Sequence, residues 1–189
     1  MKVGVLALQG AFREHCLALA GLGAEPVEVR KPEQLQGCRA LIIPGGESTT
    51  IGKLMDQYGL FEPIRKMGEA GTPIFGTCAG MIMLAREIEG SEQPRLGLMN
   101  IGVSRNAFGR QVESFESELD VPVLGAKPLR GVFIRAPQVV SVGPGVEVLA
   151  VYHDKVVLVR QGHLLAAAFH PELTEDNRLH AYFLAGSRL

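Results

Sequence analysis

The sequence has little that would tie it to nucleic acid, to a membrane or to a disulfide scaffold. Its formal net charge is −1 over 189 residues, so no excess of one sign favours binding to a polyanion. No apolar run approaches the roughly 18 residues of a membrane-spanning helix. The three cysteines, Cys16, Cys38 and Cys78, are an odd number, and their spacings match no zinc pattern. We therefore expect a reduced, cytoplasmic protein that binds no metal.

Phosphate-binding and export signals are also missing. The Gly-rich loop at 44–50 lacks the Gly-Lys-Ser/Thr ending of a P-loop, and no G-x-G-x-x-G follows the first apolar run. The apolar start meets Arg13, Glu14 and His15, so we expect a buried strand there and not a signal peptide. The length, with 47% hydrophobic and 21% charged residues, predicts one globular domain over residues 1–189.

Apolar runs alternate with helical patterns in the first half of the chain. Strands are predicted at 3–8, 26–30, 40–43 and 73–77, and helices at 12–22, 48–58, 61–70 and 81–85. This alternation predicts an α/β fold, a doubly wound and mostly parallel sheet flanked by helices.

The second half is richer in short strand patterns. Strands are predicted at 100–104, 119–124, 131–135, 146–152, 156–161 and 164–169, and Gln161-Gly162-His163 between the last two predicts a hairpin. Residues 104–117 read as a polar loop that could cover a site. A last helix is predicted at 175–184, with Thr174 as its cap.

Residues 76–80, Gly-Thr-Cys-Ala-Gly, have the pattern of a nucleophile elbow with cysteine in place of serine. Glycines are needed at such a turn because strand and helix approach closely and the central residue is strained. The turn would set the Cys78 sulfur at a strand end beside a helix N-terminus, which favours the thiolate. The alternative is a buried cysteine in a Gly-rich turn.

His170-Pro171-Glu172 could supply the base and its orienting group. A cysteine nucleophile needs both. If the segment is extended, His170 and Glu172 face the same side, and Pro171 stiffens the spacer between them.

The loop Pro44-Gly45-Gly46-Glu47-Ser48-Thr49-Thr50 joins a predicted strand to a predicted helix. Ser48, Thr49 and Thr50 are candidate caps. A glycine N–H of this loop could form an oxyanion hole, or the loop could hold the α-amino and α-carboxyl groups of a substrate. The alternative is an ordinary connection. In a doubly wound sheet, however, adjacent strand ends converge on one crevice, which would bring this loop to Cys78.

Taken together, these motifs resemble the class I, or triad-type, glutamine amidotransferases, and within them the family of glutaminase subunits of pyridoxal 5'-phosphate synthase. The similarity runs from the first strand to the last helix. The stretches that carry it are Leu8-Gln9-Gly10, residues 44–50, residues 75–80, Arg105-Asn106-Ala107-Phe108-Gly109-Arg110-Gln111, Gly131-Val132-Phe133-Ile134-Arg135-Ala136-Pro137 and residues 169–174.

The resemblance implies hydrolysis of L-glutamine to L-glutamate and ammonia through a γ-glutamyl thioester on Cys78, with His170 and Glu172 completing a triad. It implies that Gly46 and Ala79 supply the oxyanion hole. It also implies the set of residues that bind L-glutamine: Gly46, Glu47, Ser48, Arg105, Ile134 and Arg135.

The partner implied by the resemblance is a ring-forming synthase subunit, which accepts the ammonia to make pyridoxal 5'-phosphate. That compound is a product of the complex, so no cofactor is expected on this chain. The first helix and the loops around the site are the hypothesised docking surfaces.

Three alternatives stand beside this interpretation. The same chemistry could serve another synthase, such as imidazole glycerol phosphate synthase, or the domain could bind a partner without catalysis. A cysteine enzyme of the chaperone or peptidase kind is the third. The other histidines, His15, His153, His163 and His180, are predicted to have no catalytic role, with His15 at the surface or in packing.

Overall fold

The computed structural model describes residues 1–105, 107–108 and 114–186. Parts of the predicted polar loop and of the motif at 105–111 lie outside the described residues, among them Asn106, Gly109, Arg110 and Gln111.

Helices and strands alternate through the first half, as the sequence pattern predicts. The helices are α1 (Phe12–Gly21), α2 (Ser48–Gln57), α3 (Phe61–Glu69), α4 (Ala79–Leu84) and, near the end of the chain, α5 (Arg178–Gly186). The strands are β1 (Lys2–Leu6), β2 (Glu25–Val29), β3 (Ala40–Ile43), β4 (Ile74–Thr77), β5 (Ala85–Ile88), β6 (Met99–Ser104), β7 (Ser114–Leu119), β8 (Leu129–Ile134), β9 (Gln138–Val142), β10 (Glu147–Tyr152), β11 (Lys155–Gln161) and β12 (Leu164–Ala167).

One large sheet organises the chain. Its strands lie in the order β2-β1-β3-β4-β12-β11-β9-β6-β5, and β10 pairs with β11. The five strands from β2 to β12 are mutually parallel. This part of the sheet has a flavodoxin-like order, with β12 as the fifth strand. β3 and β4 are buried at every residue, as expected for parallel strands covered on both faces.

The other half of the sheet is mainly antiparallel, with the β11–β12 hairpin in the predicted place. β7 and β8 form a separate two-stranded ribbon. β8 contacts the segment that follows β12, because His170 N–H donates to the Val132 carbonyl at 2.8 Å.

Three local predictions are wrong. No strand forms at 120–124, where one was predicted: β7 ends at Leu119, and a 3₁₀ turn lies at Pro122–Leu124, because Pro122 fixes φ and has no N–H to donate. The last helix begins at Arg178 and not at residue 175. Thr174 accepts the Asp176 N–H and Asp176 accepts the Arg178 N–H, so side chain–backbone bonds hold 174–177 in turns.

The third wrong prediction concerns His170-Pro171-Glu172, which is not extended. Pro171–Leu173 form a single 3₁₀ turn, with proline at its first position.

Strands β5 and β9 have no counterpart among the predicted elements, and β7 falls partly within the predicted polar loop. None of the described helices is both long and apolar enough to cross a membrane.

Candidate active site

The carboxyl ends of four neighbouring parallel strands meet at one edge of the sheet. β1 leads into Gln9 and Gly10, β3 leads into the loop at 44–50, β4 ends one residue before Cys78, and β12 ends three residues before His170. The crevice outside the carboxyl ends of the strands is where open α/β sheets bind ligands.

Cys78 has the geometry of a nucleophile elbow. It joins β4 to α4 with φ of 50°, a backbone conformation that non-glycine residues rarely adopt, and its N–H donates to the Ala167 carbonyl at 2.8 Å. The flanking glycines are required by contact. A Cβ on Gly76 would collide with the Gly80 backbone, and a Cβ on Gly80 would collide with the Ile43 carbonyl.

His170 lies between Cys78 and Glu172. Its Nδ1 is 2.7 Å from Glu172 Oε1, and the Cys78 side chain lies close enough to the ring to help raise its pKa. Burial by itself would lower the pKa of His170, but the hydrogen bonds and charges of Cys78 and Glu172 outweigh it and raise that pKa to about 10. The arrangement therefore favours an imidazolium beside the sulfur at neutral pH.

The loop after β3 closes over this pair. A Cβ on Gly45 would collide with the His170 ring and would lie 3.2 Å from Cys78 Cβ. The loop is fixed from the other side by the turn after β1, since the Gly45 carbonyl accepts the Ala11 N–H at 3.2 Å and Glu47 N–H donates to Gln9 Oε1 at 2.7 Å. Gly46 also packs against Gln9.

Glu47 and Ser48 have local roles in this loop that the sequence analysis did not predict. The N-cap of α2 is Glu47, whose side chain accepts the Thr50 N–H at 3.0 Å. The predicted caps Ser48, Thr49 and Thr50 lie within the helix, so that prediction is wrong. Partial burial by itself would raise the pKa of Glu47. The hydrogen bonds that its carboxylate accepts from Thr49 and Thr50 outweigh this effect and lower the pKa below the usual value. The Glu47 carboxylate is thus engaged with its own helix, and the Ser48 side chain is buried.

Arg105 and Ser48 come together through a residue that the sequence analysis missed. Arg105 Nη1 donates to Gln93 Oε1 at 3.0 Å, and Ser48 Oγ donates to the same oxygen at 3.4 Å. Gln93 Nε2 is buried without a hydrogen-bond partner among the described residues. Nothing in the local pattern around Gln93 singled it out.

The remaining predicted residues lie around the sulfur. The Ile134 carbonyl is 3.8 Å from Cys78 Sγ, and Arg135 follows with φ of 45° and an exposed side chain. Ala79 is the first residue of α4, where N–H groups have no acceptor within the helix. The predicted residues from Gly46 to Glu172 thus gather at the same strand ends.

Two histidines lie behind the triad. His15 is fully buried, so the surface alternative for it is wrong. Its Nε2 is 3.1 Å from Thr77 Oγ1 and 3.4 Å from Glu172 Oε2, while its Nδ1 is 2.9 Å from His180 Nε2. Only the tertiary packing of α1 and α5 brings these rings together, so no sequence spacing pointed to them.

The other candidate ligands are dispersed. Cys16 and Cys38 are half-buried, and Cys16, Cys38 and Cys78 are all free thiols. His163 bonds to the Gly68 carbonyl at 2.7 Å. In the described ranges, no group of three His, Cys, Asp or Glu side chains could hold a metal ion.

A mostly parallel sheet with a Cys–His–Glu cluster at its carboxyl edge is typical of class I glutamine amidotransferases. The fold agrees with that class. A solved structure described as a glutamine amidotransferase is 61% identical, with a TM-score of 0.94 over 99% of both chains. PurLQS from Thermotoga maritima, at 18% identity over 97% of both chains and a TM-score of 0.74, shares the fold.

The chain belongs to the SNO glutamine amidotransferase family, which matches residues 5–187. Among similar relatives is the pyridoxal 5'-phosphate synthase subunit PdxT of Pelotomaculum thermopropionicum, 70% identical over 97% of this chain and 94% of that protein. The protein of the same name from Thermus thermophilus is 65% identical over 96% of this chain and 95% of its own.

Proposed function

We propose that this chain is the glutaminase subunit of a pyridoxal 5'-phosphate synthase and acts as a single glutaminase domain. It hydrolyses L-glutamine to L-glutamate and supplies the ammonia to a synthase subunit. The observation that carries the chemistry is the buried contact of 2.7 Å between His170 Nδ1 and Glu172 Oε1, with the Cys78 side chain beside the same ring. The family membership and the names of the relatives support the substrate and the pathway.

In the first half of the reaction, the Cys78 sulfur attacks the side-chain amide carbon of glutamine. The imidazolium of His170, which holds the thiol proton, gives a proton to the leaving nitrogen, so ammonia departs and a γ-glutamyl thioester remains. Glu172 orients the ring and stabilises its positive charge. The raised pKa of His170 supports this role, because it keeps the proton available at neutral pH.

In the second half, His170 takes a proton from water, the resulting hydroxide adds to the thioester carbon, and the C–S bond breaks to release glutamate. Both tetrahedral intermediates carry an oxyanion, for which the backbone N–H groups of Gly46 and Ala79 are the proposed donors.

Substrate binding is proposed for Gly46, Glu47, Ser48, Arg105, Ile134 and Arg135. The engagement of the Glu47 carboxylate with α2 favours a main-chain contribution from that residue. Arg105, held through Gln93 beside Ser48, is suited to the α-carboxylate because a guanidinium can donate two parallel hydrogen bonds.

The proposed partner is a ring-forming synthase subunit, and the proposed compartment is the cytoplasm, which the free thiols support. The first helix is a candidate docking surface, since Leu17 on α1 is 74% exposed.

The test is glutamate release from L-glutamine, measured with and without the synthase subunit. We expect partner-stimulated release by the wild type and by Cys38→Ala, a matched control at a half-buried thiol outside the site, and none by Cys78→Ala. Wild-type chain that docks to the synthase subunit and releases no glutamate would refute the glutaminase function and favour a binding role. Release that no synthase subunit stimulates would refute the assigned partner.

A further inference from the structure

Behind the triad, His15 and His180 form a buried polar pair that the proposed reaction does not use. Both side chains are fully buried, and their ring centroids are 5.1 Å apart. They come from opposite ends of the chain, His15 from α1 and His180 from α5. Polar groups in an apolar interior destabilise the fold unless they are paired, so such a pair needs a physical reason.

Both rings are neutral at pH 7. Burial lowers the pKa of His15 well below its usual value, and the neighbouring His180 and His170 lower it further. Burial also lowers the pKa of His180, to about 4. Each ring therefore carries one N–H, and the contact of 2.9 Å between His15 Nδ1 and His180 Nε2 contains one of these protons.

The surroundings select one tautomer pair. If His15 carried its proton on Nδ1, its Nε2 lone pair would face the Glu172 carboxylate. His180 would then carry its proton on Nδ1, which is buried and has no hydrogen-bond partner in the described part of the chain. In the other arrangement, His180 Nε2–H donates to His15 Nδ1, and His15 Nε2–H points to Thr77 and Glu172. This arrangement leaves no N–H unpaired and turns a donor toward the carboxylate.

The second oxygen of Glu172 is the group that needs this donor. Oε1 is bound to His170, whereas Oε2 is buried and has no closely aligned hydrogen bond from any described residue. His15 Nε2 lies 3.4 Å from Oε2, a long contact that acts by electrostatic attraction in a site of low dielectric.

We propose that His15 is a positioning residue for glutamine hydrolysis: its Nε2–H edge, fixed by His180, holds the Glu172 carboxylate turned so that Oε1 receives the His170 Nδ1–H. Donors then approach Glu172 from both sides, His170 from the sulfur side and His15 from the interior. This inference rests on the proposed glutaminase function, since it concerns the orientation of the same base.

Two amide variants separate this role from simple packing. In His15→Gln the side-chain nitrogen falls near the position of Nε2 and can still donate toward Glu172, whereas in His15→Asn it falls near Nδ1 and cannot reach. In complex with the synthase subunit, we expect kcat of His15→Asn to fall about tenfold with KM nearly unchanged, and kcat of His15→Gln to stay within about threefold of the wild type. Tenfold is about 1.4 kcal/mol, the low end for a hydrogen bond to a charged group.

A second readout needs no catalysis. The Nδ1–H proton of His170, observed by NMR in the free chain, should shift in His15→Asn and stay in place in His15→Gln. The control is Leu19→Ala on the same helix, which empties a fully buried apolar site. It should lower the melting temperature and leave kcat and the proton resonance unchanged.

Equal impairment of the two amide variants, or wild-type kcat in His15→Asn, would overturn the positioning role. If neither variant folds, His180→Gln and His180→Phe decide. The phenylalanine variant should shift the His170 proton and the glutamine variant should not, and no shift in either would overturn it. A docked wild type without glutaminase activity would instead refute the proposed function, while the His170 resonance would still report on the carboxylate.

Discussion

Replacement of Glu172 by glutamine tests the electrostatics of the triad most directly. The variant keeps the shape of the side chain and an oxygen acceptor for His170 Nδ1–H, but it removes the negative charge. The pKa of His170 rises from its ordinary value of 6.5 to about 10 in the folded chain, a shift that corresponds to about 5 kcal/mol. Cys78 and Glu172 both contribute to this rise. Because burial opposes this rise, loss of the carboxylate should remove at least half of it, about 2 kcal/mol or more, and lower the titration midpoint by more than about one pH unit.

The measurement is an NMR titration of the histidine ring carbons in ¹³C-histidine-labelled protein, with the His170 signal assigned by its absence in His170→Asn. In the wild type, the His170 signal should stay in its protonated position through neutral pH and change only near pH 10. In Glu172→Gln it should change at a clearly lower pH. Glu147→Gln is the matched control, because Glu147 pairs with Arg160 at the protein surface and has no contact with the triad.

Two results would refute this reasoning. Wild-type His170 could titrate near pH 6.5, which would mean that its interactions with Cys78 and Glu172 do not outweigh its burial. Alternatively, Glu172→Gln could titrate at the wild-type midpoint, which would mean that the negative charge on Glu172 does not stabilise the imidazolium.

Two further predictions concern the loop over the base and the buried histidines. Gly45→Ala should displace the His170 ring and lower glutaminase kcat about a hundredfold, as expected for a misplacement of about 1 Å, whereas Gly21→Ala, whose Cβ would approach nothing closer than 3.9 Å, should keep wild-type kcat in the same assay. The pKa of His180 is lowered to about 4, so between that pH and 6.5 the unfolded chain binds a proton that the folded chain does not. Stability should therefore fall by about 2 kcal/mol from pH 6.5 to pH 5 on account of His180, and urea unfolding should show a smaller loss in His180→Phe.

The features that the sequence predicted correctly are those fixed by local rules. Apolar runs without alternation predicted the buried parallel strands, and β3 at Ala40–Ile43 has the predicted bounds. The glycines around Cys78 predicted a tight turn, since such a turn leaves no room for a Cβ. The fold class followed from the alternation of these elements and agrees with the fold of the relatives.

The features that the sequence did not predict depend on partners far along the chain. β7 falls partly within the predicted polar loop and carries the charged residue Glu116, but it pairs with β8 in a ribbon. His15 reads as a helical residue without a second ligand. Its partner His180 is 165 residues away in the sequence, so no local pattern predicts their contact. The prediction of an extended backbone around Pro171 was also wrong. The 3₁₀ turn still brings His170 and Glu172 into contact, so their pairing does not depend on an extended backbone.

The triad geometry is a consequence of strand register. β4 and β12 are parallel neighbours, with Thr77 opposite Ala167. Cys78 is one residue beyond this pair and His170 is three, and the Cys78 N–H continues the ladder by donating to the Ala167 carbonyl. A slip of one residue in either strand would turn every side chain of that strand to the opposite face and part the sulfur from the imidazole. The buried residues of β4 and β12, whose packing holds this register, are therefore as necessary for the proposed chemistry as the residues that would perform it.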